Sequence, residues 1–90
     1  MAKAKIKRVY KTDKFNAITI SKTPSNKYAI NYVSIKNGLV NPGANINGVE
    51  SFKEAKKIVK RTRPTAKVGY ISSKNKETIL TGKYLQQRRK

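Results

Sequence analysis

Between Tyr28 and Ile35 the chain carries apolar side chains on both sides of an extended backbone. Tyr28, Ile30 and Tyr32 fall on one side; Ala29, Val33 and Ile35 fall on the other, along with Asn31. A strand that is apolar on both faces belongs near the centre of its sheet. Lys36, Asn37 and Gly38 follow directly. Asn-Gly is the strongest short hairpin signal, because both residues tolerate positive φ. Leu39 and Val40 are therefore expected to start a paired return strand, and the sheet is expected to be antiparallel.

The remaining segments are read around that hairpin. Phe15–Ser21 is rich in β-formers, with Ile18 and Ile20 on one face, and Thr23-Pro24-Ser25-Asn26 reads as the turn that follows it. Residues 1–11 alternate lysine with little that can pack except Ile6, Val9 and Tyr10, the pattern of a basic arm or an edge strand. Residues 41–48 (Asn-Pro-Gly-Ala-Asn-Ile-Asn-Gly) are dense in turn formers and read as a connecting loop. Ser51-Phe52-Lys53-Glu54 is a capping box, and Phe52, Ala55, Ile58, Val59 and Thr62 form a helical apolar stripe that Pro64 ends. Val68–Ile71 reads as a strand, residues 73–76 as a turn and Thr78–Leu80 as its partner, with Gly82 as a breaker. The expected fold is α+β: a small antiparallel sheet of four or five strands, packed on one face by a single α-helix, in the order βββαββ. Residues 1–11 would form the N-terminal arm or edge strand, 12–85 one domain and 86–90 a basic tail, with both arms flexible.

Charge bears on function. Lys and Arg number 22 against 4 Asp and Glu, with no His, for a formal charge of +18. Such a surplus opposes compaction by self-repulsion unless a partner offsets it. Nucleic acid is the expected partner, because each neutralised phosphate also releases a counterion. The absence of Cys removes disulfides and thiolate metal sites and fits a reducing compartment. No apolar run reaches the length of a membrane span or signal-peptide core, so the expected location is cytoplasmic, at a nucleoid or in a host cell. Catalysis lacks its usual residues. There is no His or Cys, the acids Asp13, Glu50, Glu54 and Glu77 are dispersed, and Gly43 and Gly48 do not make a phosphate loop. A non-catalytic protein with no cofactor and no bound metal is expected.

Three groups of residues are candidate contacts. The helix carries Lys53, Lys56, Lys57, Lys60, Arg61 and Arg63 opposite its apolar stripe. Lys53/Lys57, Lys56/Lys60 and Lys57/Arg61 are like-charged pairs four residues apart, each costing about 0.2–0.5 kcal/mol. The helix dipole favours cations near the C-terminus, which accounts for Lys60, Arg61 and Arg63 but not for Lys53; an anionic partner accounts for all of them. The arms supply Lys5, Lys7 and Arg8 at one end and Arg88, Arg89 and Lys90 at the other. Tyr28 and Tyr32 would form a base-stacking platform if their face of the sheet were uncovered. Tyr10, Tyr70 and Tyr84 are weaker candidates. Lys greatly outnumbers Arg, favouring phosphate contacts over base-edge readout.

The strand–strand–strand–helix start, with the stretch Gly48-Val49-Glu50-Ser51-Phe52-Lys53-Glu54-Ala55, resembles in outline the arm-site DNA-binding domains of phage-type integrases. That resemblance implies a sheet docked in the major groove; two strands after the helix would depart from it. The expected function is binding of nucleic acid, duplex DNA ahead of RNA, mainly through the phosphate backbone. The alternative is an adaptor or inhibitor, such as a phage or mobile-element product, that docks on an acidic protein or a host nucleoprotein. No membrane partner is expected.

Overall fold

The computed structural model describes residues 4–82 and Tyr84. Its elements, in chain order, are β1 (Lys5–Lys11), β2 (Asn16–Lys22), β3 (Tyr28–Lys36), β4 (Leu39–Val49), α1 (Phe52–Thr62), β5 (Lys67–Val68) and α2 (Ser73–Thr81). The five strands form one antiparallel sheet in the order β4-β3-β2-β1-β5. The α+β class and the antiparallel sheet agree with the sequence reading. The cover of the sheet does not.

Both faces of the sheet are covered. Ile18, Ile20 and Ile30 pack with Tyr10 and Val49 beneath Ala55 and Val59 of α1. On the opposite face Val9, Ala17, Val33 and Val40 pack with Ile71 and Ile79, which brings α2 against that side. Ile6, Ile35 and Tyr84 border this second core. Residues 78–80, expected as a strand, therefore belong to a helix. Ser72 caps it by accepting from the Asn75 amide at 3.2 Å, and Gly82 closes it in the left-handed region at φ 70°. Ile71, Asn75 and Ile79, four residues apart, are its buried line. The polar Asn75 at the middle of that line hides the helical period, and leaves Ile79-Leu80 looking like a short strand.

The strand pairings explain a further difference and decide between two readings. Residues 41–48 are not a loop but the body of β4. The register against β3 shifts by one residue between Asn31 and Val33, and again between Tyr28 and Ile30. Each shift is a bulge that absorbs one extra residue of β4. Gly43 lies against one of them, so close that a Cβ there would come within 2.6 Å of the Tyr32 carbonyl oxygen; Gly48 takes φ +72° near the other. Pro and Gly are at home on a bulged edge strand, and there they also deter edge-to-edge pairing. Of the two readings of residues 1–11, arm or edge strand, Lys5–Lys11 follows the strand. It pairs with β2, with a bulge between Ile6 and Arg8, and buries Val9 and Tyr10. The two-residue β5 covers only the Tyr10–Lys11 end of its outer edge.

The turns follow local chemistry. Asn37 (φ 53°) and Gly38 (φ 75°) form the expected two-residue hairpin. Pro24-Ser25-Asn26 is a three-residue loop closed by Thr23 N–H to Lys27 O at 2.8 Å, with Asn26 left-handed at φ 69°. Between β1 and β2, the Asp13 carboxylate accepts from the Phe15 and Asn16 amides and from the Asn16 side chain, at 2.8–2.9 Å. The Asn16 side-chain bond, followed by the two amides, holds the Asp13 pKa below the ordinary carboxylate value.

Two consequences can be measured. The hydroxyls of Thr19 and Ser21 are buried on the α2 side of β2 without a hydrogen-bond partner. Thr19→Val replaces the orphaned hydroxyl with a methyl of similar shape, and should raise the unfolding free energy in urea by about 1 kcal/mol; a loss of stability would contradict this packing. A carboxylate with a depressed folded-state pKa stabilises above its unfolded pKa, and that contribution disappears as pH falls through the folded value. The thermal-stability advantage of the native chain over Asp13→Ala should therefore be present at neutral pH and vanish in strong acid. An advantage that persists in acid would rule out the carboxylate as its source.

Candidate nucleic-acid interface

The position of α1 on the sheet creates the candidate site. Its capping box forms as expected at the N-terminus, where the Ser51 hydroxyl accepts from the Glu54 amide at 3.1 Å. At the other end the Arg63 amide donates to Val59 O at 2.8 Å just before Pro64. The helix lies over β2, β3 and β4. The β1–β5 side of the same face stays open, leaving a groove of about 780 Å³ between helix and sheet. Its floor includes Tyr10, Val59, Ala66 and Val68. Around it stand Arg8 from β1 and Lys53, Lys56, Lys57, Lys60 and Arg61 from α1, with no acidic side chain among the lining residues.

Lys53, Lys57 and Arg61 also line a smaller cleft on the far flank of the helix, so they form its crest, whereas Lys56 and Lys60 belong to the groove side. At the C-terminal end of α1 a second cleft shares Lys60, Ala66 and Val68 with the groove and extends it to Lys11 and Lys67. Lys11 and Lys67 are directly opposite each other across β1 and β5. A like-charged cross-strand pair opposes sheet formation, and no sequence signal marks this one, because it exists only once β5 has docked on β1.

Aromatic rings organise the charges. The Phe52 ring carries the Lys56 ammonium 4.9 Å from its centroid and the Arg8 guanidinium at 5.5 Å, so one ring holds a cation from each wall of the groove. Each such contact is worth about 0.5–1 kcal/mol at an exposed site. The acids lie elsewhere. Glu50 pairs with Lys27 at 2.6 Å, Glu54 lines the far flank of α1, and Glu77 is on α2. Asp13 lines the second cleft, but both of its oxygens accept hydrogen bonds within its own turn.

Five of the six helix cations thus converge on one groove, and Arg8 joins them from the first strand. Arg63 does not: its guanidinium turns back over the Tyr32 ring at 5.1 Å and donates to the Thr62 carbonyl at 2.9 Å. Lys5 and Lys7 are exposed on β1 and do not line the groove. Arg88, Arg89 and Lys90 lie outside the described residues. The tyrosine platform does not form. Tyr28 and Tyr32 face α1, Tyr28 packing on Phe52 at 5.9 Å between ring centroids and Tyr32 bonding to Thr62. With α1 on one face and α2 on the other, the broad uncovered sheet surface that a platform or major-groove sheet docking needs is missing.

Among the described residues, no three His, Cys, Asp or Glu side chains gather into a metal-binding group, and no helix is long and apolar enough to cross a membrane. Comparison with known proteins finds no matching family model, curated protein or solved structure.

The role of Tyr32 is testable. The Thr62 hydroxyl donates to Ile58 O at 2.9 Å, so in the 2.7 Å contact with Tyr32 the phenol is the donor. Tyr32→Phe should lower stability in urea unfolding by about 0.5–1.5 kcal/mol. An unchanged midpoint would show that the phenol does not anchor the helix end.

Proposed function

We propose that this chain is a non-catalytic nucleic-acid-binding protein that holds a phosphate backbone in the groove between α1 and β1. The observation that carries this reading is the convergence of Arg8, Lys53, Lys56, Lys57, Lys60 and Arg61 on one groove without an acid among them. Charges on a merely solubilising surface repel one another and spread apart. Here they gather, two of them on a single ring, and the adjoining cleft adds Lys11 and Lys67. Phosphates offset that repulsion, and the release of their counterions drives association. Duplex DNA, with one charge per ~1.7 Å of axis, is the reference ligand. The predominance of lysine suits point-charge contacts with phosphate rather than reading of base edges.

Binding of a labelled random duplex, followed by fluorescence anisotropy across a salt series, tests the proposal. If the six groove cations each neutralise a phosphate, log K should fall against log salt with a slope of about −5, and the double variant Lys56→Ala/Lys60→Ala should make it shallower by about 2. Lys74→Ala, on α2, should leave it unchanged. A flat salt response, or no binding in dilute buffer, would overturn the proposal. A stoichiometric protein partner retained after nuclease treatment, with no nucleic-acid affinity in the purified chain, would replace it with the adaptor reading.

A further inference from the structure

Most large apolar side chains in the described residues are packed away, but Val68 is 66% and Tyr70 75% exposed. Val68 lines the groove, and Tyr70, two residues later, lies past β5 on the way to α2. The segment is well anchored. Val68 is paired with Tyr10, the Gly69 amide donates to Val9 O at 2.9 Å, and Ile71 is buried in the α2-side core. Gly69 is pressed so tightly on Lys11 that a Cβ would collide with the lysine Cγ. Anchored on both sides, Tyr70 still projects its ring into solvent, with the Lys76 ammonium over it at 5.6 Å from the centroid.

An exposed ring two residues from the wall of a cationic groove, with a further cation over it, fits one kind of ligand chemistry. The faces of paired bases are hidden within the duplex stack, whereas an unpaired base offers its face to an aromatic side chain while its phosphates follow a basic track. We infer that the β5 margin is an unpaired-base site: Tyr70 stacks a nucleobase of a single-stranded segment, with Val68 providing apolar contact and the groove cations holding the adjoining phosphates. Lys76 adds a cation beside the stacked base. The inference rests on the phosphate-groove reading and adds to it a preference for unpaired over fully paired nucleic acid. Base stacking on an aromatic ring is tolerant of sequence, so the site selects strandedness rather than a base.

The test measures affinity of the full chain for a single-stranded deoxyoligonucleotide and for a blunt duplex, at one salt concentration, using the native protein, Tyr70→Ala and Tyr70→Phe. Circular dichroism checks that the variants remain folded. Tyr70→Ala should weaken single-strand binding about five- to a hundred-fold while changing duplex binding less than about twofold, and Tyr70→Phe should retain native affinity for both. Equal losses on both ligands, or no loss on the single strand, would overturn the base site and leave the phosphate groove standing. Failure of the native protein to bind either ligand in dilute buffer would overturn both.

Discussion

The unbroken register between β2 and β3 supports the rest of the molecule. From Asn16↔Ser34 to Lys22↔Tyr28 the two strands pair without a shift, whereas β1 and β4, on either side of them, each carry bulges. Ile18, Ile20 and Ile30 form the floor of one core, and Ala17 and Val33 of the other. Because side chains alternate across a strand, a slip of one residue would exchange the two faces, turning Ile18 and Ile20 toward α2 and Thr19 and Ser21 under α1. Both helices depend on that registration, and α1 in turn sets the wall of the groove. A chain whose surface charges repel one another needs such a rigid centre, because hydrophobic burial is the main favourable term opposing the repulsion.

The charges then follow from the fold. An α1 that lies over β2, β3 and β4 reaches β1 only at Tyr10, so its cationic flank looks across a groove at Arg8. Phe52 ties the two walls together, packing on Tyr28 below and meeting Lys56 and Arg8 above. Structure and proposed function meet at this residue: the same ring belongs to the margin of the core and to the groove. A large apolar ring lets the cations approach each other at modest cost by offering each an attractive face.

Local sequence carried the hairpins and α1, because their signals are short-ranged. Asn37-Gly38 needs only its own backbone, and the Ser51 cap only the next three residues. Features that depended on distant partners were hidden. Pro42, Gly43 and Gly48 look like a loop until β3 supplies the ladder against which they bulge. The buried line of α2 passes through Asn75, and its apolar members, Ile71 and Ile79, are too few to declare a period. The helix contribution to the candidate site was legible as a cationic face, but the groove was not, since Arg8 and Lys11 reach it from a segment that reads as an arm or an edge strand, with no sign that it lies beside α1. The covering of Tyr28 and Tyr32 is hidden for the same reason: which face of a central strand is covered depends on how many helices the chain forms, and α2 has the sequence pattern of a turn and a short strand.

The central claim is spatial: nucleic acid lies between α1 and β1, not across the molecule at large. Titrating the isotopically labelled chain with a short nucleic acid and following backbone amide and lysine side-chain resonances by NMR addresses it most directly. The account predicts that shifts concentrate on Arg8, Tyr10, residues 53–61 and 66–68, while exposed Ser25 and Asn26 of the β2–β3 turn stay in place. Shifts spread evenly over the surface lysines, or centred on that turn, would contradict it.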